Sequence, residues 1–121
     1  MQLLQLIQKN DFNRVSIPLP SSKSESNRAL VIDALTEGKN ILSNLAEARD
    51  TQTMIRLLQT NPAVFDVLDA GTTMRFLTAY VAATNQQKVM TGTARMCERP
   101  IGILVDALRS LGAEIHYLGT E

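Results

Sequence analysis

The sequence predicts an α/β domain with helices packed on a sheet. Three observations lead there. Short strand-like segments alternate with helix-like ones in the order β-α-β-α-β-α-β-α-β, which is the pattern of layered α/β folds. The composition is that of an ordinary globular protein: 121 residues, 45% hydrophobic and 20% charged, with only 6 Gly and 4 Pro. Aromatic residues make up 4% and Trp is absent, so the core must be built from Leu, Ile, Val, Ala and Met. The length suits about one domain.

The elements follow in chain order. Residues 1–12 carry only weak helical spacing and are assigned no element. In RVSIPLP, Val15, Ile17 and Leu19 alternate on one side, so residues 14–19 read as a strand. Pro18 and Pro20 confine it to an edge or an end. SSKSESNR (21–28) reads as a polar loop, and the apolar run from Ala29 to Leu35 as a helix buried on most sides. Gly38 stands where a helix-terminating glycine belongs. Residues 39–45 read as a second strand. Asp50 or Thr51 then caps a helix with Met54, Leu57 and Leu58 on one face, stopped by Asn61-Pro62. FDVL (65–68) is a third strand, and Gly71 opens a helix running to residue 84. KVMTG (88–92) is a fourth strand. After a polar loop, Pro100 suits the first position of a helix. Ile101, Leu104, Val105, Leu108 and Leu111 form its apolar stripe, and Gly112 ends it. Residues 113–118 are a fifth strand. The chain stops shortly after it, with nothing to close the architecture, and so reads as a fragment of a longer protein.

Charge and composition exclude several functions. Twelve basic and twelve acidic residues give a formal net charge of zero, which argues against a general nucleic-acid binder. No apolar run reaches the length of a membrane span, and the first twelve residues lack a signal peptide's basic start and cleavage site. Cys97, the only cysteine, cannot form an internal disulfide, so the expected compartment is the reducing cytoplasm. One Cys and one His make no metal site.

Three segments bring cations to a loop entering a helix: SSKSESNR (21–28), DAGTTMR (69–75) and ARMCERP (94–100). Helix N-termini present unpaired N–H groups and the positive end of the helix dipole, which suits anions. Five of the 12 basic residues, Lys23, Arg28, Arg75, Arg95 and Arg99, fall in these segments. Together they point to a small, multiply anionic ligand. Read singly, each has a plainer account. Ser24 serves as an N-cap, with Arg28 on its helix face and Glu25 available as a partner for the cations. Gly71 is a tight strand-to-helix turn, and the spacing around it is not that of a P-loop. Arg99 is a surface charge beside Glu98. Cys97 lacks an acid–base partner, His116 lies in a strand pattern, and Met74, Met90 and Met96 are core filler.

LPSSKSESNRAL, DAGTTMRFL and RMCERPIGILVDALRSLGAEI, in this order, resemble the EPSP synthase family. The resemblance runs from about Val15 to the end and covers the N-terminal portion of the family's length. It implies transfer of the enolpyruvyl group of phosphoenolpyruvate to the 5-hydroxyl of shikimate 3-phosphate, releasing phosphate, in aromatic amino-acid biosynthesis. It implies no metal or organic cofactor, and no nucleic-acid or membrane partner. The herbicide glyphosate takes the phosphoenolpyruvate site in this family. The implied fold has two domains of βαβαββ-type units in an inside-out α/β barrel, with the active site between them. Residues 1–20 would then belong to the other, C-terminal domain, and residues 21–121 would be the first part of the N-terminal domain.

Carried over by motif, the resemblance places Lys23 against both substrates. Ser24 and Arg28 join it on shikimate 3-phosphate, and Gly71 and Arg99 on phosphoenolpyruvate. Asp50, Thr72 and Arg75 take supporting places. The chain departs from the family at Ser21, where a glycine is usual, at Asp69, where Asn is usual, and at Phe76, where Pro is usual. The stretch from Leu58 to Asp69 is shorter than in many members. The acid–base carboxylates and several further cations belong to the family's later sequence, so this chain alone is expected to be half a site and inactive, with the C-terminal domain as its missing partner. Two alternatives remain. One is the sister UDP-N-acetylglucosamine enolpyruvyl transferase, which carries a Cys five residues before the loop arginine, where this chain has Ala94. The other is a non-catalytic anion-binding domain.

Overall fold

A computed structural model describes residues 3–7 and 14–119. Its elements are α1 (Lys23–Leu35), α2 (Arg49–Thr60), β1 (Val64–Asp66), α3 (Gly71–Ala83), β2 (Val89–Thr91), α4 (Ala94–Cys97) and α5 (Gly102–Ser110). The class is mixed α/β, as expected, but helix predominates. β1 and β2 pair in parallel, with Phe65 opposite Met90, and α3 is the crossover between them.

Three of the five expected strands are absent. Residues 14–19, 39–45 and 113–118 form no ladder. A strand is defined by its partner, and among the described residues none lies beside these segments. Val15, Ile17 and Leu19 all project into solvent. Their alternation therefore marks a capacity to pair that is unused here.

The helices also correct the sequence reading. The expected loop 21–28 is largely the first two turns of α1. Its N-cap is Ser22, not Ser24: the Ser22 hydroxyl accepts the Glu25 N–H at 3.3 Å. Neither Asp50 nor Thr51 caps α2, which begins at Arg49 after Ala48 with no side-chain cap. α4 occupies part of the expected loop after β2. Pro100 is not the first residue of the last helix, because Ile101 is the residue before α5 begins. Gly38 (φ +68°) and Gly112 (φ +97°) do close α1 and α5 in the left-handed region that glycine favours.

The core lies between α1, α2, α3 and the two strands. Leu30, Met54, Leu57, Phe65, Val67, Leu77 and Met96 form it, with Met74 and Met90 packed against its edge. Fully burying a large apolar side chain stabilises by roughly 1.5–3 kcal/mol. α1 is not buried on most sides: Leu30 is its one buried apolar residue, while Ile32 and Leu35 are 59% and 52% exposed. The stripe on α5 is only partly used. Val105 is buried, but Leu111 is exposed, because α5 meets α3 along one short flank.

Candidate anion-binding site

The starts of α1, α2 and α3 are tied together by side chains. The Thr51 hydroxyl donates to Asn27 Oδ1 at 2.8 Å, joining α2 to α1 in a buried contact. The Thr73 hydroxyl donates to the Asp50 carbonyl at 2.9 Å, joining α3 to α2. Two ion pairs span the same junctions. Lys23 Nζ lies 3.5 Å from Asp50 Oδ2, and Arg49 Nη1 lies 3.3 Å from Asp69 Oδ2. Consecutive residues of α2 thus reach opposite neighbours. The ammonium of Lys23 is met by Asp50 rather than by Glu25. Asp69, anomalous in sequence, has its charge offset by Arg49 and turned toward α2.

The start of α3 shares its uncapped alanine with α2 but, unlike α1 and α2, has no acid in its first turn. Its N-cap position is Ala70, which has no side chain able to cap, and its first turn holds no acid. Among the described residues the N–H groups of Gly71, Thr72 and Thr73 have no acceptor. These donors carry the positive end of a thirteen-residue helix dipole. The guanidinium of Arg99 lies against Gly71, in the space a side chain there would fill. A Cβ built on Gly71 would sit 2.5 Å from Arg99 Nη1 and 2.9 Å from Cζ. Gly71 is therefore where backbone and guanidinium approach closely, not merely a turn residue.

Arg75 holds this arrangement in place. Its Nη1 donates to the Gly71 carbonyl at 3.2 Å and its Nη2 to the Pro100 carbonyl at 3.0 Å. The residue next to Arg99 is thereby fastened to α3. Among the described residues neither Arg75 nor Arg99 pairs with a carboxylate. Two guanidiniums that pair with no carboxylate thus stand beside an uncapped helix start and add to its positive potential. That arrangement suits a phosphate- or carboxylate-bearing ligand.

Ser24 and Arg28 lie along α1 from Lys23. Arg28 Nη1 donates to the Ser24 carbonyl at 2.9 Å, and its guanidinium stands 5.7 Å from the centre of the Phe76 ring. Phe76, a departure in sequence, thus supports Arg28 from α3. Thr72 is half-buried in the first turn of α3. No hydrogen bond or ion pair among the described residues joins Ser24, Arg28 or Arg95 to the Gly71–Arg99 pair. Cys97 is exposed, its thiol 3.7 Å from the Gly92 carbonyl. His116 is exposed and meets Glu114 at 3.0 Å. Among the described residues no group of His, Cys, Asp and Glu could hold a metal ion, and no helix is long and apolar enough to cross a membrane.

Asn27, Arg49 and Thr73 did not stand out in the sequence, and Thr51 stood out only as a helix cap. Asn27 is fully buried, and its Nδ2 has no partner among the described residues. A signal existed: Asn27 lies three residues before Leu30, on the helix face that carries the core.

Comparison with known proteins agrees with the motifs. Residues 11–60 and 56–121 match the family described as EPSP synthase (3-phosphoshikimate 1-carboxyvinyltransferase). A Bacteroides fragilis (strain YCH46) protein named 3-phosphoshikimate 1-carboxyvinyltransferase is 55% identical over 108 residues, which is 89% of this chain and 26% of that protein. Proteins of the same name from Pectobacterium carotovorum and Serratia proteamaculans are each 39% identical, over 88% and 85% of this chain and 31% and 30% of their own lengths. The chain therefore spans about a quarter to a third of these relatives. The Pectobacterium alignment runs over 132 positions, more than the chain possesses, so that relative carries residues this chain lacks. The Bacteroides alignment needs no such insertion. No solved structure matches. With matches that between them run from residue 11 to residue 121, and with the Lys23, Gly71 and Arg99 motifs in family order, the chain belongs to the EPSP synthase family.

Proposed function

We propose that the polypeptide to which this chain belongs transfers the enolpyruvyl group of phosphoenolpyruvate to the 5-hydroxyl of shikimate 3-phosphate, with release of phosphate. The observation that carries this is the uncapped, acid-free start of α3 with Arg99 against Gly71. Its N–H groups and guanidinium are donors for the phosphate or carboxylate of phosphoenolpyruvate, and Gly71 leaves room for them. Lys23, Ser24 and Arg28 hold shikimate 3-phosphate, and Lys23 also reaches phosphoenolpyruvate. Asp50, Thr72 and Arg75 support these groups.

In the reaction the 5-hydroxyl oxygen bonds to C2 of phosphoenolpyruvate while a proton reaches C3. Loss of phosphate and of a proton from C3 then restores the double bond. The part of this chain is electrostatic. Fixed donors neutralise charge on the substrates and on the departing phosphate without reorganising during the reaction. Aligning two anions that repel each other in water is the other part. No metal or organic cofactor enters.

The acid–base carboxylates and remaining cations come from the rest of the polypeptide, so the 121 residues alone are inactive. In the complete fold, an inside-out α/β barrel in two domains, residues 1–20 join the C-terminal domain and residues 21–121 begin the N-terminal one. The unpaired alternation of Val15, Ile17 and Leu19 supports that division. The cytoplasm is the compartment, in keeping with the single cysteine Cys97. The sister transferase acting on UDP-N-acetylglucosamine is not favoured, since Ala94 stands where its cysteine would be and the relatives above bear another name.

The test is phosphate release with both substrates present. The polypeptide extended to the length of its relatives is expected to release phosphate only when both are supplied, and residues 1–121 to release none. Turnover by the isolated chain at a comparable rate, or no shikimate 3-phosphate-dependent release by the extended one, overturns the proposal.

A further inference from the structure

Among the described residues, Asp50 alone bonds to both substrate-facing helix starts. Its carboxylate lies 3.5 Å from Lys23 Nζ at the start of α1, and its carbonyl accepts the Thr73 hydroxyl at the start of α3. Its side chain is 22% exposed, the least of the carboxylates in ion pairs among the described residues. Its backbone is held as well, because the next residue, Thr51, is anchored on the fully buried Asn27. Asp50 is thus a fixed group, whereas Lys23 ends a flexible four-carbon stem that is 48% exposed.

We propose that Asp50 is a positioning residue: its carboxylate fixes the Lys23 ammonium while its carbonyl fixes α3, so that one residue of α2 sets the distance between the two anion-binding helix starts. Its effect on substrate depends on Lys23 binding substrate, and so rests on the function proposed above. Two consequences of its charge oppose each other. By Coulomb's law a carboxylate beside the site repels an anionic ligand. By holding Lys23 in one geometry, it removes freedom that the lysine would otherwise lose when the ligand arrives. In the positioning role the second effect wins.

The sign of one substitution separates them. Asp50→Asn keeps the shape and the carbonyl contact to Thr73 but removes the charge. Coulomb repulsion alone predicts lower KM values. Positioning predicts that KM rises at least about fivefold for both substrates in the extended polypeptide, since Lys23 serves both. Thr73→Val keeps the charge and releases the other contact. It should raise KM for phosphoenolpyruvate, and the double variant should be non-additive with Asp50→Asn. A purely structural role would lower the unfolding temperature and leave KM alone. A second readout needs no activity. In the 121-residue chain, the NMR order parameter of Lys23 Cε should exceed that of the exposed Lys39 and fall to its level in Asp50→Asn. KM values that fall, or that stay within about twofold, overturn the proposal, as does a Lys23 order parameter unchanged by the substitution. Absence of turnover in the unsubstituted extended polypeptide sinks the proposed function instead, and leaves the Lys23 measurement to decide the role of Asp50.

Discussion

Replacing Gly71 by Ala tests the centre of the site. The new methyl carbon would lie 2.5 Å from Arg99 Nη1, 2.9 Å from Cζ and 3.3 Å from Nη2. Ordinary contact is about 3.5 Å, so the guanidinium must retreat by about 0.6 Å at Cζ and about 1 Å at Nη1. Only the end of a flexible side chain has to move, so the fold is spared. Gly71 is not among the residues with positive φ, and alanine is favoured over glycine inside a helix by up to about 1 kcal/mol. The unfolding temperature should hold or rise. Arg99, however, leaves its place against Gly71 at the start of α3. Complete loss of a charged hydrogen bond costs about 1.5–3 kcal/mol, and partial realignment should raise KM for phosphoenolpyruvate by about tenfold. Shikimate 3-phosphate, held from α1, should change much less. The assay is both KM values and the unfolding temperature, in the extended polypeptide. Equal changes for the two substrates, or none, would refute the placing of Arg99 and Gly71 on the phosphoenolpyruvate side.

Other substitutions have equally definite outcomes. Arg28→Ala should weaken shikimate 3-phosphate by about 1.5–3 kcal/mol and phosphoenolpyruvate less; calorimetric titration giving equal losses contradicts the assignment. Asn27→Ala removes the acceptor of the buried Thr51 hydroxyl and should cost about 1–3 kcal/mol in denaturant unfolding. Leu57→Ala empties a fully buried position and should cost about 2–5 kcal/mol by the same measurement. A loss under about 1 kcal/mol there would mean that the core between α1, α2 and α3 collapses freely around the gap.

The helices were more legible than the strands, for a physical reason. Periodicity along α2 reports a face that must be buried, and the hydrogen bonds of a helix are internal to it. Residues 39–45 and 113–118 have strand composition, but a ladder needs a neighbour that composition does not name. β1 and β2 were found because they do pair, although each is shorter than its apolar pattern. The early start of α1 was legible in principle, since Ser22 and Glu25 have capping-box spacing, yet the density of serines in 21–28 reads as loop. The cations of the site were visible as a cluster because their chemistry is unusual in a neutral chain. Their supports were not. Thr73 on the Asp50 carbonyl and Arg75 on the Pro100 carbonyl join residues 23 and 25 positions apart, and no local pattern encodes such a meeting.

The groove between α1 and α3 has a consequence for how this chain behaves in water. Val31, Ile32, Leu35, Phe76, Ala79 and Tyr80 line an open trough of about 370 Å³ that is almost wholly apolar. Arg28 stands at its edge, toward the cationic helix starts. The chain is in this respect an amphiphile, with a charged head and a greasy flank. It should light up the dye anilinonaphthalene sulfonate while still natively folded, so bright dye fluorescence is no sign of a molten state here. It should be retained on phenyl resin and self-associate as concentration rises. Ile32→Lys, at a position already more than half exposed, should suppress all three behaviours while leaving the unfolding temperature nearly unchanged.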